Sequence, residues 1–228
     1  MLSKEKIKEI NKLYQAKYRN LEQKFIVEGL HLVNEAKAKN LLLETYTIDQ
    51  NIEGILITEN EMKKICKTDT VCKALGICKL IDKHSLSNKI LLLDAVQDPG
   101  NLGALMRSAY AFDFETIVLG DGCVDIYNDK VIRTSQGAIF KLNFIKENLV
   151  TFINEHKEYK IYGTNVKRGI DLKEVEKVEK LGIVLGNEGN GISDKVDSVI
   201  EKNIYIKLNN TESLNVNVAG SIIMYELS

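Results

Sequence analysis

The chain lacks several features that point to particular classes of protein. Its 228 residues include no tryptophan, one proline and three histidines. No apolar run approaches the 18 or so residues that a membrane span needs, and the charged start at residues 1–8 lacks the apolar core of a signal peptide. We therefore expect a cytoplasmic protein without membrane contact. With 44% hydrophobic and 28% charged residues, the composition is that of one large or two modest globular domains.

The few cysteines and histidines do not suggest a metal site. Cys66, Cys72 and Cys78 are spaced by six residues, Cys123 stands apart, and no pair has the CxxC spacing of common zinc sites. The histidines fall in separate segments. We expect reduced thiols, no metal ion, and no catalytic centre built on histidine.

The net charge of −1 hides an uneven distribution. Residues 1–90 carry 16 Lys and Arg against 12 Asp and Glu, and the remainder carries 15 against 20. A basic first part predicts contact with a polyanion, although lysine-rich helices often only face solvent. Both interpretations stay open on charge alone.

The spacing of apolar residues predicts two parts joined by a polar linker at residues 83–89. In the first part we expect helical residues within 3–20, 30–38 and 61–66, and strands at 25–29, 44–48, 54–58 and 77–81. In the second part we expect strands that alternate with helices. The strands lie at 90–94, 116–119, 142–145, 160–164, 181–185 and 203–208, and the helices lie at 102–112, 129–140, 149–156, 193–199 and 214–227. This alternation predicts an α/β domain with a mostly parallel sheet, which binds ligands at the carboxyl ends of its strands.

Three unusual turns follow predicted strands of the second part. The first, residues 98–107, reads DPGNLGALMR. Asn101 can cap the following helix, and Arg107 lies about a turn and a half inside it. An amide and a guanidinium there suit an anionic or ribose-bearing ligand. On this turn alone, a structural pairing of Arg107 with Asp94 or Asp113 is the simpler interpretation.

The second turn, residues 186–191, reads GNEGNG. It matches neither the GxGxxG of dinucleotide-binding folds nor the Walker loop. Three glycines expose backbone N–H and C=O groups that can bind a planar heterocycle, and Glu188 places a charge in a tight loop. A plain strand-to-helix connection explains the turn equally well.

The third turn, residues 209–220, precedes the predicted C-terminal helix. Ser213 and Asn215 can cap that helix, whereas Asn217 is a poor helix former one turn further in. Small residues at 219–221 keep the helix thin, which predicts the close approach of a ligand or of another backbone.

Taken in order, these turns resemble the SpoU/TrmH class of SPOUT RNA ribose 2′-O-methyltransferases. The matching segments are residues 98–107, 184–192 and 204–219. The first part is similar to the substrate-binding domain of some members, with comparable segments at 25–29 and 68–77. The resemblance implies an RNA substrate-binding domain at residues 1–85 and a methyltransferase domain at residues 90–228. Helices on both faces of the sheet, a C-terminal deep trefoil knot and a homodimer are also implied.

The resemblance also implies roles for individual residues, with S-adenosylmethionine as cofactor and no metal. The cofactor pocket would use Thr164, Gly186, Ile206, Leu214 and Asn215. The reactive centre would use Asn101, Arg107, Glu188, Ser213 and Asn215. RNA would contact Lys12, Lys17, Arg19, Arg107 and Arg133. Lys207 departs from the family pattern, because many members have proline there.

The implied reaction is attack of a ribose 2′-hydroxyl on the sulfonium methyl group. Ribosomal RNA is preferred over transfer RNA, because the first part resembles the domain of rRNA-modifying members. Arg107 is often assigned as the base in this family, but a guanidinium hardly deprotonates, so a clamp on phosphate and alkoxide charge is the easier role. Both roles stay open at this point.

Three alternatives to an rRNA 2′-O-methyltransferase stay open. They are a tRNA 2′-O-methyltransferase, a knotted enzyme that methylates a base, and a non-catalytic RNA-binding or ribosome-assembly protein. A dehydrogenase is disfavoured, since no GxGxxG follows the first strand of the second part.

Overall fold

The computed structural model describes residues 1–82, 85–166 and 168–228. It divides into two compact units, of which the first holds Met1–Asp82 and Asp125–Phe140 and the second holds the other described residues. The predicted linker begins at residues 83 and 84, which lie outside the described residues. Within the described residues, no helix is long and apolar enough to cross a membrane.

The secondary structure alternates between helices and short strands. The helices are α1 (Lys4–Lys12), α2 (Ala16–Glu22), α3 (Leu30–Ala38), α4 (Glu59–Ile65), α5 (Pro99–Ala111), α6 (Asp129–Ser135), α7 (Leu149–Glu155), α8 (Asp194–Asp197) and α9 (Val216–Glu226), with 3₁₀ turns at Ala138–Phe140 and Leu172–Glu174. The strands are β1 (Lys24–Glu28), β2 (Leu42–Thr47), β3 (Ile55–Leu56), β4 (Ala74–Lys79), β5 (Lys89–Leu93), β6 (Thr116–Leu119), β7 (Asn143–Lys146), β8 (Lys160–Thr164), β9 (Ile170–Asp171), β10 (Leu181–Leu185) and β11 (Lys202–Tyr205).

The first unit is built on a four-stranded sheet in the order β1-β4-β2-β3. Strand β4 pairs antiparallel with β1 and β2, and β3 adds a short parallel edge. The helical stretch predicted at residues 3–20 forms two helices, because Gln15 adopts an extended conformation between them. Ile10 and Leu13, just before this break, are buried in the core of the unit.

Arg19 is held inside the first unit. Its side chain is only 5% exposed, its Nη2 lies 2.5 Å from Oδ2 of Asp125, and its Nη1 donates to the carbonyl of Leu13 at 3.1 Å. A buried guanidinium needs such partners, because an unpaired buried charge is strongly destabilising. The expectation that Arg19 contacts RNA is therefore corrected. Sequence spacing did not show that α2 turns this residue toward the core.

The pairing of Arg19 with Asp125 also changes the predicted division of the chain. Residues 125–140, expected in the second domain, group with the first unit. The Tyr127 ring packs against the ring of Phe25 at 4.8 Å between centroids, and Phe140 lies 6.3 Å from the same ring. Apolar and ionic contacts at long sequence separation thus add this segment to the first unit.

The second unit is built on a seven-stranded sheet in the order β7-β6-β5-β10-β8-β11-β9. Every pairing in this sheet is parallel, which confirms the predicted α/β class. The central strands β5 and β10 are almost entirely buried, as their unbroken apolar sequences require. Parallel pairing brings the carboxyl ends of all seven strands to one edge, where the unusual turns begin.

Several predicted elements have different bounds in the structure, among them the second helix of the second part and the last strand of the first part. The helix expected at 129–140 stops at Ser135, because Gln136 and Gly137 have φ angles of 49° and 87°. The strand expected at 77–81 is β4, which begins at Ala74. Gly76 lies in the middle of β4, where the neighbouring side chains leave little room for a Cβ. An added Cβ would come within 2.9 Å of a methyl group of Val27.

The thin C-terminal helix packs closely on its neighbours, as predicted from its small residues. A Cβ on Gly220 would lie 2.6 Å from Cδ1 of Leu185 in β10 and 2.7 Å from Cδ2 of Leu105 in α5. The hydroxyl groups of Ser221 and Ser108 lie 2.7 Å apart, which joins α9 to α5. Other protein elements, and not only a ligand, therefore account for the small residues in α9.

Candidate active site

The main cavity of the second unit lies at the carboxyl ends of β8, β10 and β11. It has a volume of about 540 Å³, which is typical of a small-molecule site. Its walls come from the segments that follow these strands and from the first turns of α9. This is the place in a parallel sheet where ligands are expected.

Most of the residues expected to hold a cofactor meet in this cavity. Thr164, Gly186, Ile206 and Leu214 all line it. The Thr164 hydroxyl donates to the carbonyl of Val184 at 2.9 Å, so its lone pairs remain for a donor on a ligand. The fifth expected residue, Asn215, is not part of the cavity wall and turns its amide elsewhere, as described below.

The turn after β10 is closed by its own hydrogen bonds. The N–H and C=O groups of Asn187 and Gly191 bond reciprocally at 2.9 Å. The side-chain oxygen of Asn187 accepts the N–H groups of Gly189 and Asn190 at 3.0 and 3.1 Å. The expected row of free backbone donors is thus largely used within the turn. The glycines therefore allow the tight shape of the turn, and they leave few backbone groups for a ligand.

A network of four polar side chains adjoins this turn. Asn101, which is 8% exposed in the first turn of α5, donates from its amide nitrogen to Oε1 of Glu188 at 3.1 Å. Its amide oxygen accepts from the amides of Asn215 and Asn217, at 3.1 and 2.9 Å. Three bonds therefore fix the orientation of the Asn101 amide. They join residues more than eighty positions apart.

Asn217 is the member of this network that the sequence did not place in the reactive centre. Its poor helix propensity near the start of α9 was the available signal. The structure gives the physical reason for its presence, because its amide reaches Asn101 from the first turn of the helix. Asn215 caps α9 by accepting from the N–H of Asn217 at 2.9 Å and donates its own amide to Asn101.

Glu188 is an anchor that remains ionised. Burial raises the pKa of its carboxyl, but hydrogen bonds from the Asn101 amide and from the backbone N–H groups of Asp98 and Gln97 outweigh burial and lower that pKa below its usual value. A carboxylate with this many donors is a poor proton acceptor at neutral pH. Its evident role is to join the turn after β10 to the start of α5.

Arg107 and Ser213 are two of the exposed residues of the expected centre. Within the described residues, the Arg107 side chain has no hydrogen bond or ion pair. The structural pairing considered with Asp94 is not formed. Asp94 instead accepts the N–H of Ser193 at 2.7 Å. Ser213 is exposed and lines the cavity, so its hydroxyl can meet a ligand there.

The residues of the first unit that are expected to contact RNA differ in their exposure and in their partners. Lys12 and Lys17 both lie over the ring of Tyr18, with Nζ atoms 5.2 and 5.9 Å from its centroid. Lys17 is exposed and Lys12 is half-buried. Arg133 is half-buried and pairs with Asp129 at 2.9 Å along α6. The two lysines and the aromatic ring together form a cationic surface that we call the Tyr18 face.

We predict that Gly186→Ala destabilises the second unit. The added Cβ would lie 2.0 Å from the carbonyl carbon of Gly191 and 2.2 Å from the nitrogen of Ile192, and both are backbone atoms that cannot move without opening the turn. The expected loss is about 1–3 kcal/mol or more, measured by urea denaturation.

Gly189→Ala is the matched control for this change. The nearest atom to its added Cβ is Oδ1 of Asn187 at 3.6 Å, so stability should stay within about 0.5 kcal/mol of the original. Equal stability of the two variants would contradict the assigned role of Gly186.

Comparisons with known proteins agree with this geometry. The sequence profile of the SpoU rRNA Methylase family matches residues 88–225, and that of the MRM3-like substrate binding domain matches residues 4–76. The chain is 34% identical to the 23S rRNA (guanosine(2553)-2′-O)-methyltransferase RlmP of Bacillus subtilis, over 98% of this chain and 96% of that protein.

Solved structures have the same fold along the whole chain. A TrmH-family structure from Porphyromonas gingivalis is 30% identical with a TM-score of 0.89, covering 100% of this chain and 98% of that one. An AdoMet-bound rRNA methyltransferase from Sinorhizobium meliloti, 23% identical, superposes with a TM-score of 0.87 over 100% and 95% of the two chains and shows the fold alone. The chain belongs to the SpoU rRNA methylase family.

Proposed function

We propose that this protein transfers a methyl group from S-adenosylmethionine to a ribose 2′-hydroxyl of ribosomal RNA. The observation that carries the proposal is one cavity that unites Thr164, Gly186, Ile206 and Leu214 with Ser213. The B. subtilis relative is named for 2′-O-methylation of a guanosine in 23S rRNA, which supports rRNA as substrate. Action on ribosomal RNA implies a cytoplasmic location.

The cavity suits a ligand with a flat apolar part and a charged part. Ile206, Leu214 and Ile223 supply apolar walls, and Arg168 and Glu212 supply charges of both signs. When bound there, S-adenosylmethionine supplies an electrophilic methyl group on its sulfonium. The residues of the chain must exclude water from that group and direct a ribose hydroxyl toward it.

We propose that Arg107 and the Asn101 network orient the ribose. The Asn101 network consists of the side chains of Asn101, Glu188, Asn215 and Asn217. Asn101 is fixed by three hydrogen bonds, so it presents a rigid surface at the start of α5. The Arg107 guanidinium is not paired with any described residue, which leaves its donors for a phosphate and for the alkoxide charge that develops on the 2′-oxygen. The clamp is therefore the role we propose for Arg107, in place of a base.

We predict that Arg107→Ala reduces methyl transfer by about 100-fold or more, because it removes the charge that stabilises the transition state. Affinity for S-adenosylmethionine should stay within about twofold, since Arg107 does not line the cavity. Transfer of labelled methyl to 23S rRNA and calorimetric titration of the cofactor measure the two effects. An equal loss of cofactor affinity would contradict the clamp.

The product distinguishes the remaining alternatives. Nucleoside analysis of methylated 23S rRNA should show a 2′-O-methyl nucleoside and no methylated base. Transfer RNA tested in parallel should accept far less methyl group. A protein that binds both RNAs but transfers no methyl group would be a non-catalytic assembly factor.

The Tyr18 face is the proposed RNA contact of the first unit. Its two lysines can neutralise phosphates while the ring stacks on a base. We predict that Lys12→Ala with Lys17→Ala lowers RNA affinity and reduces the slope of log K against log salt by about 1.5, for two lost phosphate contacts. Filter binding at several salt concentrations measures this slope.

Lys63→Ala is the control for this change. Lys63 lies on α4 and already pairs with Glu59 at 2.9 Å, so its loss should leave the salt slope unchanged. An unchanged slope in the double variant would show that the Tyr18 face does not contact phosphate.

We also propose that the protein is a homodimer and that its C-terminal segment is knotted. The support for the dimer is an exposed apolar face on α9, formed by Val218, Ile222 and Tyr225 at helical spacing. Exposed Tyr110 on α5 adds a further apolar side chain. The support for the knot is the position of β10 between β5 and β8, with α9 packed tightly on β10 at Gly220.

We predict that Ile222→Glu converts the dimer to a monomer, because it places a charge in the centre of the apolar face. Sedimentation velocity measures the mass in solution. Leu21→Glu, at an exposed leucine in the first unit, is the control and should leave the mass unchanged. A monomeric parent protein would overturn the proposal.

A further inference from the structure

Two thiols of the first unit lie side by side. Cys66 is the C-terminal cap of α4, and Cys72 lies two residues before β4. Their Sγ atoms are 2.8 Å apart, and both residues are free and partly exposed. We propose that Cys66 and Cys72 are a site of reversible oxidation, at which a low-molecular-weight disulfide such as glutathione disulfide converts them to an intrachain disulfide.

The positions of the four cysteines explain why the proposed disulfide joins Cys66 to Cys72. Cys78 is fully buried in β4, so a dissolved oxidant cannot reach it. Cys123 belongs to the second unit, and its thiol donates to the carbonyl of Leu93 at 3.2 Å. Within the described residues, only Cys66 and Cys72 combine access to solvent with a second thiol in reach.

Hydrogen bonds already order part of the segment that the disulfide would close. Glu28, at the end of β1, accepts the N–H groups of Lys67 and Thr68, each at 3.0 Å. The same carboxylate accepts the hydroxyl of Tyr14 at 2.6 Å. These bonds hold the start of the segment against the sheet. Little chain entropy is therefore lost when the two sulfurs are joined.

The two thiols differ in their acidity, which defines the order of events. The hydrogen bond from Cys66 lowers the pKa of the Cys72 thiol, although burial opposes this. The same hydrogen bond, together with burial, raises the pKa of the Cys66 thiol. Cys72 is therefore the nucleophile and Cys66 the resolving thiol, since thiolates are the attacking species.

The exchange is balanced in two steps. The Cys72 thiolate attacks one sulfur of glutathione disulfide, forms a mixed disulfide and releases one glutathione thiolate. That thiolate or solvent takes the proton of Cys66, whose sulfur then attacks the Cys72 sulfur and releases the second glutathione. The two cysteines are oxidised by two electrons in total, and glutathione disulfide is reduced to two thiols.

A metal ion is the competing occupant of this cluster. One carboxylate oxygen of Glu28 lies within 4.8 Å of both sulfurs, and thiolates with a carboxylate can bind zinc. Three of the roughly four acceptor sites of that carboxylate are already used by Tyr14, Lys67 and Thr68. A metal would have to compete with these donors, whereas the disulfide leaves them in place.

Peptide mapping of the full-length protein tests the proposal. The reduced protein is equilibrated with glutathione at several redox ratios, alkylated and digested with trypsin, which cuts after Lys64, Lys67 and Lys73. A disulfide joins the peptide 65–67 to the peptide 68–73, with a loss of two hydrogen atoms, about 2 Da. We expect this linked peptide to replace the two alkylated peptides under oxidising conditions and to disappear on reduction.

Single variants test the order of the steps. Cys66→Ser should trap a glutathione adduct on Cys72, whereas Cys72→Ser should leave Cys66 largely unmodified. Cys123→Ser is the control and should form the linked peptide normally. Separate adducts on both cysteines of the unaltered protein would overturn the proposal. So would one zinc ion per chain that survives dialysis and is lost in both Cys66→Ser and Cys72→Ser.

Discussion

One carboxylate holds the candidate site together. Glu188 accepts hydrogen bonds from two backbone N–H groups just before α5 and from the amide of Asn101 within it. A negative charge at a helix start is favourable, and charge-assisted bonds are stronger than neutral ones. The turn after β10 is thereby fixed to α5. Asn215 and Asn217 bring the start of α9 to the same point through the Asn101 oxygen.

The shape of the cavity follows from this constraint. Gly186 lets the chain fold back against Gly191 at a distance that excludes any side chain, and Asn187 closes the turn from within. The wall of the cavity that follows β10 is therefore rigid, and the polar segment before α9 supplies further wall residues. A rigid wall beside the Asn101 network is the arrangement that methyl transfer needs, because both partners of the reaction must be held in line.

Long-range polar contacts also organise the first unit. Arg19 and Asp125 are separated by 106 positions, yet their ion pair and the Phe25–Tyr127 ring contact place residues 125–140 in this unit. Glu28 plays a comparable part at the other end of β1, where it joins Tyr14 to the segment after α4. The Tyr18 face and the Cys66–Cys72 pair both lie in elements that these contacts position.

The sequence alone determined the class of the fold, the strands β6, β8 and β10 to the residue, and the three turns that carry the site. Periodicity and turn chemistry are local, so local reasoning finds them. The ordered triple of turns also identified the family. Only the tertiary structure decided that Arg19 is buried, that residues 125–140 leave the second domain, that Asn217 joins Asn101, and that Glu188 is an anchor. Each of these depends on which groups meet across the fold, and a side chain's partners at long separation decide whether its charge is buried, paired or free to act.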